Sequence, residues 1–557
     1  MQKIVVCLIA VLIGVMCSLG KRFNTAGGQS PVTINAGQMA LTVMFSFSKS
    51  TGPTRRPKPI PGIPYKHAAA RSILSDVPSM MKWKKDTRET FSWMTEQCKR
   101  LNAPMAQVFV SPFSLPWVLV TDARECEDVL TRRSREFDRA RFTTDVVQPI
   151  LREHHFPFPS GSKQRAHRSL LSDLMTPAFL NEVAAPRLYD ATMELLQLWL
   201  RKAALACGHP FAAEEDIANT ALDTIWAASI ELLTQRSTID LPSKQDLPVV
   251  FPQAPIPYDV ECIRTEINSI EVSLASPLPG LSYFFYLKLL SIWRAFRRKD
   301  LMLSDALKDS LGRLGSEEKC VGKATVRSAM GFVLRREFLQ ARKECRQPRL
   351  DSTVLKDELF GFLLAGHETT STTLMWSMKL LTDHQQGRQP TFSEVTASKM
   401  PYLDAVIEEM LRCGGTAATQ GRECLVEAEL LGARLPKGTN VLFMTNGPSF
   451  ITPAMPIDEK LRSQTCQGAK GKTPEWDPEH LSEFKLERWL STNSEGVKSA
   501  YLEMRTVMTI IFWNVKLLPV PAELSTYRAV DSVAHAPQQC YIRLAPPLEE
   551  LRVEGVL

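Results

Sequence analysis

The sequence predicts a mainly α-helical protein with small β-sheets, an α+β fold, and three observations indicate this class. From about residue 66 onward, apolar residues recur every three to four positions through most of the chain, which is the period of helices with one buried face. Short runs of β-branched and aromatic residues, such as residues 117–121, separate the helical segments and are typical of strands. After Glu409 the sequence changes to short apolar runs separated by proline and glycine, which favours hairpins.

Each predicted element follows from one of these patterns. Helices are predicted at residues 122–136, 355–374, 401–412 and 505–512. Pro401 suits the first turn of its helix, because that position needs no backbone N–H. Residues 425–431 and 435–443 are expected to pair as a hairpin that turns at residues 436–438, and the proline-rich residues 446–480 are expected to form an irregular meander.

The chain of 557 residues is long enough for two to four domains, although some large enzymes form a single one. We predict a membrane anchor at residues 1–22, a linker with a proline-rich hinge at residues 23–64, and one large folded domain at residues 65–557. The 67 basic and 60 acidic residues give a net charge of +7 that is spread along the chain without a basic stripe. Nucleic acid is therefore not expected as a partner.

The anchor prediction rests on residues 4–20, an uncharged apolar run that follows Lys3 and precedes Lys21 and Arg22. A helix of this length spans roughly 25 Å, which is just enough for a thin bilayer. The positive pair after the run would hold the rest of the chain on the cytoplasmic side, so a single-pass anchor is predicted. The alternative is a cleaved signal peptide, because small residues near the end of the run offer a cleavage site.

The twelve cysteines are spread singly from Cys7 to Cys540, without short paired spacings. This distribution predicts neither a disulfide framework nor a zinc site. It fits a chain that works in a reducing compartment.

Residues 277–299 combine many aromatic and large aliphatic side chains with a basic end at residues 297–299. One interpretation is a buried pair of aromatic-rich helices. The other is a second contact with the membrane surface, because aromatic rings lie at the interface and basic residues meet lipid headgroups.

Within the central helix, residues 364–374 read Leu-Ala-Gly-His-Glu-Thr-Thr-Ser-Thr-Thr-Leu. Ala365 and Thr369 lie one helical turn apart on the same face. Small residues there would let a large group approach the backbone, while Glu368 and the hydroxyls would supply a proton donor and a relay at the point of approach. The alternative is a closely packed helix whose hydroxyls bond back to the preceding turn.

Two further motifs lie downstream of the central helix. Glu409 and Arg412 are three residues apart on one helical face, and residues 484–490 contain Arg488, which offers a second guanidinium to the same carboxylate. A solvated surface ion pair is the usual explanation of such a spacing. The motifs that accompany it make a shared network the better interpretation.

In this order the three motifs resemble those of the cytochrome P450 family, haem-thiolate monooxygenases, in its membrane-bound eukaryotic form. Residues 365–370 match the oxygen-activation motif, Glu409 and Arg412 match the Glu-x-x-Arg helix, and residues 484–489 match the Pro-Glu-Arg-Phe/Trp segment with Leu486 in place of proline. Weaker matches extend the resemblance to nearly everything past residue 53. The resemblance implies the P450 fold, with the haem between the central helix and the last long helix.

The resemblance also implies functional residues. The catalytic pair that would relay protons to bound oxygen is Glu368 and Thr369, the residues against the haem are Ala365 and Gly366, and the structural core is Glu409, Arg412 and Arg488. Residues 161–168 resemble the family's Trp-x-x-x-Arg helix, with Gln164 where tryptophan is usual, so Arg168 is the implied clamp for a haem propionate and His167 its helper. Arg422 stands where the family places a second propionate arginine.

The family's iron ligand is a cysteine in the pattern Phe-x-x-Gly-x-Arg-x-Cys-x-Gly, and this chain has no cysteine between Cys466 and Cys540. The second half of the pattern survives in register as Gly496, Ala500 and Glu503. Ser494 then falls at the cysteine position, and the short span from Arg488 to Ser494 favours deletion of the ligand loop over a point substitution. A misplaced exon boundary or a splice variant would explain it. No metal ligand is predicted, because Cys466 and Cys540 lack the flanking motif.

The resemblance implies haem b as cofactor, an NADPH-cytochrome reductase as electron donor and an apolar small molecule as substrate. The implied reaction is a hydroxylation in specialised metabolite biosynthesis, carried out by a monomer in the endoplasmic reticulum membrane with a cytoplasmic catalytic domain. The alternative is a catalytically impaired or non-catalytic member, from a truncated gene model or a splice form, that lacks the thiolate ligand.

Overall fold

The computed structural model describes residues 58–72, 74–110, 115–226, 241–252, 256–274, 283–284, 286–318, 328–384, 401–471, 477–490 and 499–545. Within these ranges the helices of seven or more residues are α1 Val77–Thr87, α2 Phe91–Leu101, α3 Ala123–Thr131, α4 Arg141–Val147, α5 Ser162–Ser169, α6 Ala185–Ala206, α7 Glu214–Trp226, α8 Tyr258–Leu274, α9 Leu290–Glu318, α10 Ala329–Lys343, α11 Thr353–Asp383, α12 Pro401–Gly414 and α13 Ser499–Asn514. The strands are β1 Met105–Val108, β2 Trp117–Val120, β3 Phe137–Arg139, β4 Phe211–Ala212, β5 Thr419–Cys424, β6 Ala428–Leu430, β7 Ala433–Leu435, β8 Asn440–Met444, β9 Lys516–Leu518, β10 Ala529–Asp531, β11 His535–Pro537 and β12 Tyr541–Ala545. The predicted α+β class with small sheets is confirmed.

The largest sheet has five strands in the order β1-β2-β8-β5-β3. Strands β2 and β8 pair in parallel, while the other neighbours are antiparallel. The parallel pair joins an early segment of the chain to a late one, so the sheet closes the fold across more than three hundred residues. A three-stranded sheet of order β4-β12-β9 and two hairpins, β6-β7 and β10-β11, complete the strands of the described ranges.

Helix α11 runs through the middle of the helical body. Its N-terminus is capped by Ser352, whose hydroxyl accepts the Leu355 N–H. Apolar residues of α6, α11, α12 and α13 form one core cluster that includes Trp199, Ile407 and Ile511. Burial of each such side chain stabilises the fold by roughly 2–3 kcal/mol. Because these helices pack on several sides of α11, their positions fix which of its faces stays open.

The predicted hairpin at residues 425–443 is wrong in its turn and its pairing. Strand β6 pairs with β7, and the chain reverses at Leu431 and Gly432, whose φ angles are +46° and +76°. The turn at residues 436–438 instead leads into β8, which pairs with β2 and β5. The tight two-residue turn is available because Gly432 adopts the left-handed conformation without strain.

The helix predicted at residues 122–136 begins as expected, with Asp122 as its cap, but α3 ends at Thr131 because the short strand β3 follows. Residues 446–480 contain only short helical turns within the described part, as the meander prediction requires.

Ile60 and Ile63 are buried, and the Gln107 side chain bonds to the backbone of both. These two residues precede residue 65, where the large folded domain was predicted to begin, and that boundary stays a prediction.

The two membrane predictions have different outcomes. Residues 4–20 lie outside the described residues, and none of the helices in the described ranges combines the length and apolar character that crossing a bilayer requires. Of the segment 277–299, the ring of Tyr283 is buried, whereas Phe284 and Trp293 are exposed beside basic side chains. The segment therefore has both the buried side and the exposed aromatic side that its two interpretations required.

Candidate functional site

One face of helix α11 is open in a helix that is otherwise buried. Ala365 and Thr369 are exposed and Gly366 is half-buried, while the residues from Thr370 to Leu380 are all buried. The exposed pair is one helical turn apart, so it forms a single small-residue surface. A flat group can therefore reach the helix backbone at this surface.

The hydroxyl groups of the motif divide between two partners. The Thr369 hydroxyl donates to the Ala365 carbonyl at 2.7 Å, and Ser371 and Thr373 bond back to the preceding turn in the same way. This is the packing alternative that the sequence left open. The Thr370 hydroxyl instead donates to Oε2 of Glu503 on helix α13, at 3.0 Å. The two helices that flank the implied haem are thus joined by a direct side-chain contact.

Glu503 is a carboxyl group held deep between helices α11 and α13. Burial raises its pKa to about 7, although the hydrogen bond from Thr370 opposes the shift. The carboxyl group therefore exchanges a proton near neutral pH. Glu503 nevertheless keeps partial exposure to solvent.

The side chains of Glu368 and His367 lie on other sides of helix α11 than the open face of Ala365 and Thr369. Nε2 of His367 lies 3.1 Å from the Ala218 carbonyl on helix α7, which anchors the imidazole away from the open face. Nδ1 of His367 is 3.2 Å from Oε1 of Glu368 but has no hydrogen-bond partner. The Glu368 side chain is 18% exposed and stays accessible to water.

Glu409 is the centre of a buried network below helix α12. Both of its oxygens accept from the Arg412 guanidinium, at 2.7 and 2.8 Å, and Nε of Arg488 lies 3.2 Å from Oε1. The Lys485 N–H and the Trp489 indole also donate to it, each at 2.8 Å. Burial would raise the pKa of Glu409, but these donors hold it below its ordinary value. Arg412 also donates to the carbonyls of Phe450, Leu481 and Glu483, so the pair fastens the meander to the helix.

Arg422 faces a second arginine. It lies on β5 directly opposite Arg139 on β3, so both guanidiniums lie on the same face of the sheet. Burial, and next the charge of Arg139, lower the pKa of Arg422. The hydrogen bonds of these two side chains go to the carbonyls of Gly421 and Phe158. Among the described residues these two arginines hydrogen-bond to neutral carbonyls alone, and guanidinium groups in this state are suited to an anion.

Arg168 and His167 lie on helix α5, as the resemblance implied. Arg168 is exposed, and its side chain has no ion-pair partner among the described residues. Nδ1 of His167 lies 2.7 Å from the Glu153 carbonyl, and its ring meets the Phe158 ring edge to face. The arginine is available to a carboxylate, whereas the histidine already contacts the 148–161 loop. Both roles stay predictions.

The expected ligand position, Ser494, lies outside the described residues, between a short helix that ends at Leu490 and helix α13. The two other cysteines considered are engaged elsewhere. Cys466 is buried and interacts with Arg462 and Glu125, and burial raises its pKa to about 12. The Cys540 thiol donates to the Met375 carbonyl, and burial raises its pKa strongly. Neither offers a thiolate.

These observations fit the implied haem in part. The open face at Ala365 and Thr369 suits the flat ring, and the paired arginines suit its propionates. The thiolate does not fit, because residues 467–539 contain no cysteine. The chain therefore combines an open small-residue face and a pair of arginines with the absence of a cysteine from residues 467–539.

Two contacts of the site were missed from the sequence. Arg139 lies in a three-residue strand, and only the strand register places it opposite Arg422. The bond from Thr370 to Glu503 joins residues 133 positions apart. The surviving motif marked Glu503 but carried no sign of its partner.

Comparisons with known proteins agree with these features. The family model described as Cytochrome P450 matches residues 318–447. A cytochrome P450 monooxygenase of Pestalotiopsis microspora is 34% identical over 540 residues, which cover 88% of this chain and 94% of that protein. A cytochrome P450 monooxygenase of Fusarium sporotrichioides is 34% identical over 564 residues, covering 88% and 95%. A third such monooxygenase, of Penicillium crustosum, is 28% identical over 546 residues, covering 88% and 92%.

Proposed function

The chain belongs to the cytochrome P450 family, and on this premise we propose that it descends from a haem-thiolate monooxygenase that hydroxylates an apolar small molecule. Electrons would come from an NADPH-cytochrome reductase, and the product would belong to specialised metabolite biosynthesis. The relatives are monooxygenases by name, which supports the reaction class. The substrate and the membrane location remain part of the proposal.

The observation that carries the proposal is the open face of helix α11. A helix with twenty-one buried residues exposes Ala365 and Thr369 in its middle, beside the contact from Thr370 to Glu503. A merely structural helix gains stability by covering such a surface. Its exposure is therefore better explained by a ligand that packs there.

Haem with a cysteine thiolate would supply oxygen activation, because an anionic sulfur ligand favours cleavage of the O–O bond. The chain's own residues have separate tasks. Arg422 and Arg139 bind carboxylates, and Arg168 is free to add a third positive charge. Thr369 supplies a hydroxyl group on the open face, Glu368 is its neighbour in the chain, and we assign the proton relay to this pair. The network around Glu409 keeps the meander and helix α12 in place.

The missing cysteine favours a second candidate function for the chain of this sequence. Without a thiolate it would bind a porphyrin or an apolar ligand through the arginines and the open face, and it would not activate oxygen. The absence of cysteine from residues 467–539 supports this candidate. A chain of this second kind would come from a truncated gene model or from a splice form of an active enzyme.

The absorption spectrum of the reduced, carbon monoxide-bound protein separates the two functions. A Soret band of the thiolate type would exclude the non-catalytic candidate for this sequence. Haem binding without that band would support it, and no haem uptake at all would contradict the haem site itself. Sequencing the transcript across codons 488 to 501 would show whether the ligand loop is missing from the messenger.

The proton relay is tested in a protein whose cysteine loop has been restored. Thr369→Ala should uncouple consumption of reductant from product formation, because the hydroxyl beside the open face is lost. Unchanged coupling would show that Thr369 serves only its bond to the Ala365 carbonyl.

A further inference from the structure

Three histidines surround one fully buried carboxylate beside the candidate haem site. Glu358 lies in the second turn of helix α11 and has no exposed surface. His154 and His155 approach it from the 148–161 loop, and His167 approaches from helix α5. Among the described residues no lysine or arginine forms an ion pair with Glu358, so imidazoles are its only basic neighbours.

We propose that His154, His155 and Glu358 form a binding site for a divalent transition-metal ion of the zinc class. Their three donor atoms, two imidazole nitrogens and a carboxylate oxygen, lie within 4.8 Å of one another. These are the donor types that zinc takes in proteins. A third imidazole lies nearby, because Nδ1 of His167 is 3.8 Å from Oε1 of Glu358. Water would complete the coordination of the metal.

The donor spacing is close to that of a tetrahedral site. Donors at about 2.1 Å from zinc lie roughly 3.4 Å apart. Nε2 of His154 is 3.5 Å from Oε2 of Glu358, which matches this spacing without rearrangement. Nδ1 of His155 is 2.7 Å from the same oxygen, a hydrogen bond that widens when a metal takes the place of its proton. The contact between His155 and Glu358 thus has to widen by about 0.7 Å.

Electrostatics favour a cation at this position. A fully buried carboxylate is costly unless it is paired, and a divalent ion compensates its charge. Neutral imidazole is the form that binds metals, and Nε2 of His154 faces the carboxylate of Glu358 at 3.5 Å.

Gly361 provides the room for the imidazole of His154. A Cβ atom at this position would lie 2.3 Å from Nε2 of His154, so the ring rests directly on the helix backbone one turn after Glu358. In the metal-free state the Phe156 N–H donates to Nδ1 of His154 at 3.1 Å, which leaves the proton on Nε2. Metal binding at Nε2 moves that proton to Nδ1 and releases the Phe156 N–H. Phe156 is 41% exposed, so water can replace the lost contact.

The site does not depend on the missing cysteine or on haem. Its test is a titration of the metal-free full-length protein with Co²⁺, followed by displacement with Zn²⁺. We expect one Co²⁺ per chain with the intense visible absorption of a tetrahedral site, and loss of that absorption when zinc is added. Absorption of six-coordinate cobalt alone, or a thiolate-to-cobalt charge-transfer band, would overturn the proposal.

Variants assign the ligands. His154→Gln and His155→Gln should each weaken zinc binding by at least about tenfold, as measured by competition with a chromophoric chelator. His480→Gln, on an exposed segment of the meander, is the matched control and should bind as the parent does. All proteins should carry Cys207→Ser and Cys345→Ser, because both of these thiols are exposed and cysteine thiolates are zinc ligands. Equal affinity in all three histidine variants would place the metal elsewhere and refute the site.

Discussion

Arg422→Gln separates the binding role of the arginine pair from any role in folding. In the free protein Arg139 and Arg422 face each other across β3 and β5, and like charges at such positions destabilise a sheet by about 0.2–1 kcal/mol. A propionate placed between them would gain charge-assisted hydrogen bonds worth about 1.5–3 kcal/mol. Loss of one arginine should therefore weaken porphyrin binding by about 10- to 150-fold.

The assay is a fluorescence titration of the purified full-length protein with protoporphyrin IX, which reports porphyrin binding without any iron ligand. Arg434→Gln, at the exposed centre of β7, is the matched control and should bind as the parent does. The dimethyl ester of protoporphyrin IX lacks the carboxylates, so it should not distinguish Arg422→Gln from the parent. Folding stability in urea should stay within about 1 kcal/mol of the parent, because the lost bond to the Gly421 carbonyl and the relieved repulsion offset each other.

Two results would refute this reasoning. If Arg422→Gln and Arg434→Gln bind protoporphyrin IX equally, the arginine pair does not hold the propionates. If Arg422→Gln weakens the ester as much as the free acid, the substitution acts through the shape of the site and not through charge.

Three further predictions concern stability. Glu409→Gln should lower the free energy of unfolding by about 3–5 kcal/mol in urea denaturation, because it leaves buried guanidiniums without their carboxylate. Glu503 has a pKa of about 7 in the folded protein against an ordinary 4.5, so the folded state binds its proton more tightly than the unfolded state does. The contribution of Glu503 to stability therefore falls as pH rises through this window. Between pH 5 and pH 8, the free energy of unfolding of Glu503→Gln should rise by on the order of 3 kcal/mol relative to that of the parent. Gly361→Ala should destabilise the protein by about 1–3 kcal/mol in thermal or urea unfolding, because the new Cβ meets the His154 ring. The new Cβ of Gly312→Ala in α9 meets no atom within 4 Å, so this variant should stabilise the protein by about 0.5–1 kcal/mol.

Controls and contrary outcomes follow from the same contacts. Glu429→Gln, at the exposed centre of β6, should change the free energy of unfolding by less than about 0.5 kcal/mol. If Glu409→Gln changes it by no more than this control does, the network around Glu409 contributes nothing to stability. A difference between Glu503→Gln and its parent that does not vary with pH would place the Glu503 pKa near its ordinary value. Equal effects of alanine at positions 361 and 312 would show that the His154 ring moves away freely.

Local patterns were sufficient to predict much of the fold and part of the candidate site. The period of apolar residues located helices α11 and α12, and Pro401 indicated where α12 begins. The spacing of Glu409 and Arg412 predicted an ion pair, and the structure shows it with Arg488 as a third member. These predictions were possible because the interacting groups lie within one helix or belong to motifs that occur together.

Residues far apart in the chain depend on tertiary structure instead. Strand β8 pairs with β2 in parallel, so the turn at residues 436–438 could not be assigned to a hairpin from local sequence. Arg139 opposite Arg422, and Thr370 against Glu503, depend on strand register and on helix packing.

The sequence by itself determined the family resemblance and the absence of a cysteine from residues 467–539, because motif order and the presence of a thiol are properties of the chain alone. Only the tertiary structure decided that Ala365 and Thr369 stay exposed on a helix most of whose residues are buried. It also decided that three histidines meet Glu358. The physical reason is that contacts between distant residues arise only when helices and strands pack, so a local pattern can indicate a buried or an open face but not which distant residues meet it.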